Sequence, residues 1–337
     1  MSIPSKPDSR SKVRRAPSRF AVILVMSLGL SLSQGAPNPG TYLSYRRPPY
    51  VYLYAGKDLD VIEELDRDLR KLVPDMELHL GTRLPDRVQI ELPMTRTEFA
   101  WLSRGRVPSW AGGVAYPSEG RIVVKTPQFF GEGVPLSILT CHELAHILLN
   151  AASSGKGLPR WFDEGFSQVL SGESRAGSLT LLARAALADR MMGLPRVEDV
   201  LSYSDSDAQL AYAESHAAAR GMLDRFGWEV VRSILFLVGS GAEFDSAFES
   251  SAGVEYEAWQ ADWLESAQQK FKNYAFLDLE MIIWVAIMLL SALAAFMVWL
   301  RKKRQFKKWA EEEEEELFNE SPEIEAQEPV DDKPIHP

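Results

Sequence analysis

Twenty consecutive residues, Met281 to Leu300, carry no charge. A helix of that length is about 30 Å long, the thickness of a bilayer's hydrocarbon core. Trp284 and Trp299 stand near its ends, where interfacial aromatics gather. Arg301-Lys302-Lys303-Arg304, Lys307 and Lys308 follow at once, and a basic flank of this kind marks the cytoplasmic end. The sequence therefore predicts one membrane-spanning helix over 281–300, with whatever folds before it lying on the far side of the membrane.

The N-terminus agrees with that topology. Lys6, Arg10, Lys12, Arg14, Arg15 and Arg19 precede an apolar run from Phe20 to Leu32, and Ser33-Gln34-Gly35-Ala36 then supplies small residues. The apolar run is short for a membrane span and fits the core of a secretory signal. The expected organisation is a signal peptide over 1–36, a Pro/Gly/Tyr-rich linker over 37–47, an extracytoplasmic domain over 48–276, the transmembrane helix over 281–300, and a cytoplasmic tail over 301–337. The tail is basic, then acidic from Glu311 to Glu316, then largely disordered beyond Phe318. The exported part has no Asn-x-Ser/Thr acceptor, which favours a bacterial inner membrane with the domain facing the periplasm.

Composition sets further bounds. The chain has 337 residues, 46% hydrophobic and 25% charged, with a net charge of −10. That is ordinary globular composition with room for one large domain or two small ones. The acidic balance argues against a nucleic-acid partner, which needs a basic surface. A single cysteine, Cys141, excludes an intrachain disulfide.

Periodicity predicts an α+β fold, a small mixed sheet followed by a helical lobe. Val51–Tyr54 and Arg87–Leu92 read as strands and Asp58–Leu72 as a helix. Thr95-x-x-Glu98 is a capping box opening a helix to Ser103. Residues 112–125 read as a hairpin turning at Pro117–Gly120. From Ser178 onward the patterns are helical: Ser178–Met192, Asp207–Phe226, Trp228–Val238, Phe244–Ser250 and Tyr256–Phe271.

Between sheet and lobe stands His142-Glu143-Leu144-Ala145-His146, and eighteen positions later Glu164. Helical residues four apart share a face, so both imidazoles can address one ion. Val134-Pro135 offers a helix start and Ser153-Ser154-Gly155 a stop. A second helix from Pro159 to Ser171-Gly172 can bring Glu164 back to the histidines. Two imidazoles, a carboxylate and a neighbouring glutamate are the donor set of a catalytic zinc site, with Glu143 as the base acting on zinc-bound water. One zinc ion per chain is expected. Cys141 adjoins the first ligand but is turned about 100° away on a helix, so it reads as a packing residue. Asp163 and Gln168 are candidates to hold the far ring nitrogens of the histidines.

The run His142-Glu143-x-x-His146 with Leu158-Pro159-Arg160-Trp161-Phe162-x-Glu164-Gly165 resembles the gluzincin metallopeptidases of the peptidase MA superfamily. Tyr212-Ala213-Glu214-Ser215, Phe226-Gly227-Trp228 and Trp259…Trp263 resemble the helical half of such domains. The resemblance spans roughly 48–270. It implies His142, His146 and Glu164 as zinc ligands and Glu143 as catalytic base. It also implies an edge strand that pairs with a polypeptide substrate, here Gly113, Val114 and Ala115, whose other reading is an ordinary hairpin strand. Tyr212, or else His216, would stabilise the oxyanion. No acidic residue lies between Trp110 and Tyr116 to hold a free substrate amine, so an endopeptidase fits better than an aminopeptidase. Substrates would be extracytoplasmic polypeptides, including membrane-proximal ones. Two alternatives stand beside this: a non-catalytic binding or scaffold domain on the membrane surface, and a zinc hydrolase acting on a non-peptide bond.

Overall fold

The structure is a computed structural model. It describes residues 42–55, 59–105, 107–108, 111–126, 134–173 and 177–319, with backbone only at 201, 276–281, 311 and 313–319. The expected signal peptide over 1–36 and the tail from 320 lie outside the described residues.

Five strands form one mixed sheet: β1 (Tyr42–Arg47), β2 (Tyr50–Ala55), β3 (Val88–Glu91), β4 (Gly113–Tyr116) and β5 (Arg121–Val124), in the order β1-β2-β3-β5-β4. The central strands β2, β3 and β5 are parallel, and β1 and β4 close the two edges antiparallel. Tyr52, Ile90 and Ile122 stand in one register row and are fully buried. Helix α1 (Leu59–Leu80) covers them with Ile62, Leu65, Leu69, Val73, Met76 and Leu80, the spacing of an apolar helix stripe. That stripe continues past Leu72, which explains why the helix runs eight residues beyond its expected end. A buried polar pin ties α1 to the sheet: the Tyr52 hydroxyl donates to Asp66 Oδ1 at 3.1 Å and Arg70 Nε donates to Asp66 Oδ2 at 2.9 Å.

One boundary needs correction. Residues 37–47 were expected as a linker, yet Tyr42–Arg47 is β1, paired along its whole length with β2. Its Pro48-Pro49 corner turns the chain back into β2, and Tyr45 packs on Tyr52 with ring centroids 6.2 Å apart. The surrounding prolines and glycines mask a short edge strand that is mostly exposed.

Helix α2 (Arg96–Leu102) opens as anticipated, with the Thr95 hydroxyl accepting from the Glu98 N–H at 3.1 Å. Glu98 reaches back to the N–H of Met94 at 2.7 Å, one residue earlier than in a standard capping box.

The helical lobe holds α3 (Leu136–Ala152), α4 (Arg160–Ser171), α5 (Ser178–Leu187), α6 (Asp205–Gly239), α7 (Phe244–Ala252) and α8 (Tyr256–Asn319), with a 3-10 segment at Leu194–Ser202 before α6. Helix α6 breaks at Gly227, where φ is 74° and ψ 175°, a backbone state that glycine adopts without strain; this gives the two helices expected there. An aromatic cluster joins α4, α7 and α8, with Trp161 Nε1 donating to the Tyr256 hydroxyl at 2.7 Å.

Helix α8 inserts Tyr256, Trp259, Trp263, Ala267 and Phe271 into this lobe. It then continues to Asn319 without interruption, rather than ending near Phe271. Within it, Ile282–Ala310 is long and apolar enough to cross a membrane, and none of its apolar window is buried in the protein. A single helix therefore joins the domain to that segment.

Candidate metal centre

Helices α3 and α4 run from Pro135 and Pro159 at their N-caps and lie against each other. On α3, His142 and His146 sit one turn apart with ring centroids 5.0 Å apart. Each ring is gripped at Nδ1. His142 Nδ1 lies 2.8 Å from Glu173 Oε2, and His146 Nδ1 lies 3.0 Å from Asp163 Oδ1 and 3.1 Å from Ser167 Oγ. Fixing Nδ1 leaves Nε2 free to face α4. There, Glu164 Oε2 stands 3.6 Å from His142 Nε2 and 3.7 Å from His146 Nε2. A tetrahedral ion with bonds of about 2.0–2.1 Å sets its ligands about 3.3 Å apart, so the three groups already surround a space of the right size. All of their ligand atoms lie within 4.8 Å of one another.

Glu173 was not anticipated. It lies beyond the Ser171-Gly172 stop, where local reasoning ends. Gly172 takes φ 68° and the Glu173 N–H closes onto the Gln168 carbonyl at 3.0 Å, a Schellman-type turn that folds the chain back. That turn delivers a fully buried carboxylate to His142. Of the two partners considered from sequence, Asp163 does face a histidine. Gln168 does not: its amide donates to the carbonyls of Glu164 at 3.3 Å and Tyr212 at 3.0 Å, stitching α4 to α6.

The base candidate Glu143 lies on the sheet side of the ligands. A Cβ placed on Gly113 would fall 2.6 Å from Glu143 Oε1, so any other residue there would displace the Glu143 carboxylate from this position. Gly113, Val114 and Ala115 of β4 line a cavity of about 350 Å³ together with His142, Glu143, His146 and Glu164. Among the described residues β4 is the outer strand on that side, and the hairpin carrying it is held by Arg121, which stacks 4.0 Å from the Tyr116 ring centroid and pairs with Glu91 at 2.9 Å. Tyr212 also lines this cavity, its hydroxyl 3.4 Å from Glu164 Oε1. Arg160, absent from the sequence-based candidates, approaches the same oxygen at 3.5 Å. His216 is placed elsewhere: one turn past Tyr212, it lines a neighbouring cavity between helices.

The electrostatics suit a cation. Burial disfavours a charged His142, but the Glu164 and Glu173 carboxylates outweigh it and lift the imidazole to about 10. His146 is likewise disfavoured by burial, then raised to about 9 by Asp163 and Glu164. Glu164, despite burial, is held down to about 2 by the histidines. Burial pushes Glu143 up to about 7, and burial pushes Cys141 up to about 12, in keeping with an inert packing residue. The ligand carboxylate is thus ionised at neutral pH, and the metal-free histidines hold protons that a metal must displace. Because both histidine pKa values are raised, that proton competition is full at neutral pH and fades as pH rises through 9 to 10. Zinc affinity measured by chelator competition should accordingly rise with pH between 7 and 9, approaching two decades per pH unit. A flat profile would show that the rings are already neutral.

Three ligand atoms, both far ring nitrogens held, and an open cavity beside them make a donor set that fits zinc. Residues 103–269 match the family model described as Peptidase MA superfamily. Residues 103–269 belong to the peptidase MA superfamily. That superfamily comprises metallopeptidases, and the matched segment contains β4, β5, α3 to α7 and the first part of α8. No curated protein matches the chain. In this peptidase MA domain the contribution of Glu173 is directly measurable. Glu173→Ala should weaken zinc binding about 10–100-fold, the usual cost of losing a histidine-orienting carboxylate, with titration of the purified protein as the readout. Unchanged affinity would make Glu173 a packing residue only.

Proposed function

We propose that this chain is a membrane-anchored zinc metallopeptidase that hydrolyses peptide bonds within polypeptides. The observation that carries this reading is the convergence of His142, His146 and Glu164 with Glu143 wedged between them and the β4 edge. Zinc held there supplies Lewis acidity for activating water and polarising a carbonyl.

The chain's own groups account for the rest. An extended substrate adds to the outer edge of β4 at Gly113, Val114 and Ala115, which sets its scissile carbonyl over the ligand cluster. Glu143, with its pKa raised towards neutrality by burial, takes the proton of the attacking water and delivers it to the leaving amine. The Tyr212 hydroxyl lies on the cavity wall and donates to the developing oxyanion; of the two donors considered from sequence, it is the one that faces the ligands.

Cleavage inside chains is favoured because, among the described residues, the acidic groups lining this cavity are all committed. Glu143 is the base, Glu164 a ligand, and Asp163 and Glu173 hold histidines. None of these described groups remains for a substrate's free amine. The basic run after the apolar part of α8 orients the peptidase domain outward, facing the periplasm of a bacterial inner membrane. A scaffold role is disfavoured, since Glu143 is buried at a desolvation cost that binding alone does not require.

The test uses the full chain in lipid nanodiscs. We expect about one zinc per chain and hydrolysis of a defined peptide mixture, with His146→Ala losing both. Zinc-loaded protein that cleaves none of the mixture would count against the peptidase reading.

A further inference from the structure

A second cavity, of about 890 Å³, lies between α5, α6 and α8. It begins one helical turn from the metal site on two helices at once. On α4, Gln168 follows Glu164; on α6, His216 follows Tyr212. Residues four apart share a helix face, about 6 Å along the axis, so the linings of the two cavities adjoin, and Glu173 borders both. Trp259, Trp263 and Phe271 form the deep wall of the larger one, and its far end reaches Tyr274. Tyr274 precedes Ile282, the start of the apolar segment, by eight residues of unbroken helix, about 12 Å of rise.

We propose that this cavity is the specificity part of the substrate cleft, receiving an apolar or aromatic segment of a polypeptide that approaches from the membrane surface. The proposal rests on the peptidase reading and names its substrate class. The space beside the ligands is less than half as large. An extended chain advances about 3.3 Å per residue, so about two residues span the single helical turn that separates the linings of the two cavities. Two arginines of its rim are paired, Arg225 with Asp262 at 2.8 Å and Arg220 with Asp224 at 3.8 Å, and Lys270 stands beside them. Selection therefore falls to the aromatic wall, which rewards apolar side chains that would otherwise face water.

The test fills the cavity. Ala217, on its α6 wall, becomes Trp; exposed Thr180, on its α5 wall, becomes Trp as a second variant less able to disturb folding. Zinc-loaded full chain in nanodiscs is given a defined peptide mixture and the products are read by mass spectrometry, with zinc content measured in parallel. Wild type should cut near Leu, Phe and Trp, and both variants should lose those cuts at least tenfold while keeping cuts near Ala and Gly and full zinc content. Identical product profiles in wild type and variants would overturn the proposal. If zinc-loaded wild type cleaves nothing, the peptidase reading fails separately, and the cavity is then judged by binding. The peptide acetyl-Leu-Leu-Phe-amide should shift the tryptophan fluorescence of wild type but not of Ala217→Trp refolded to the same helicity; no shift in wild type overturns the cavity proposal as well.

Discussion

Glu143→Gln should lower peptide hydrolysis by about 10³-fold, within the range that general acid–base catalysis supplies, while zinc content stays at the wild-type value. The change is nearly isosteric, so the close approach to Gly113 survives. Glu143 is not among the three converging ligand groups, so metal binding does not need its charge. What the amide cannot do is accept a proton from water and return it to an amine. Parallel measurements of zinc content and turnover separate the possibilities. Activity retained in the variant would remove Glu143 from the reaction, and zinc lost together with activity would make it a ligand.

The second large effect comes from a residue with no chemistry of its own. A Cβ on Gly165 would lie 2.3 Å from the Ser215 carbonyl oxygen, 2.8 Å from its carbon and 3.0 Å from Ala219 Cβ. Helices α4 and α6 thus touch through backbone, and no rotamer of any other residue relieves the overlap. Gly165→Ala must push α4 away from α6, which strains the Gln168 bridge and moves Glu164 off the histidines. Overpacking of this kind costs typically about 1–3 kcal/mol, and contact with backbone sets it near the upper end. For a domain of this size that means a melting temperature lower by roughly 6–12 °C. Zinc should also bind more weakly. Gly157→Ala is the matched control, since nothing lies within 4 Å of its would-be Cβ. If Gly165→Ala melts with wild type, α4 and α6 are further apart than described.

Much of this site was legible in the sequence because its logic is local. The i, i+4 spacing of His142 and His146 needs only a helix, and Pro135, Pro159 and Gly172 punctuate the two helices that carry the ligands. The hairpin, the capping box and the apolar stretch of α8 were legible for the same reason. Glu173 was not, because its role depends on a left-handed turn returning the chain to a helix thirty residues earlier. Strand β1 was hidden because an exposed edge strand has no apolar alternation to display. Tyr212 and His216 share a helix face and cannot be ranked by spacing; only the packing of α6 on α4 places one by the ligands and the other in the next cavity.

Side-chain chemistry at fixed helical spacing is enough to say which atoms can bind a metal and that one stretch of the chain suits a bilayer. What surrounds those atoms depends on the packed molecule: the carboxylate behind His142, the glycine contact that aligns α4 with α6, and the cavity between α5, α6 and α8. Each of these joins residues far apart in the chain, and such distances are set by core packing, which local periodicity does not encode.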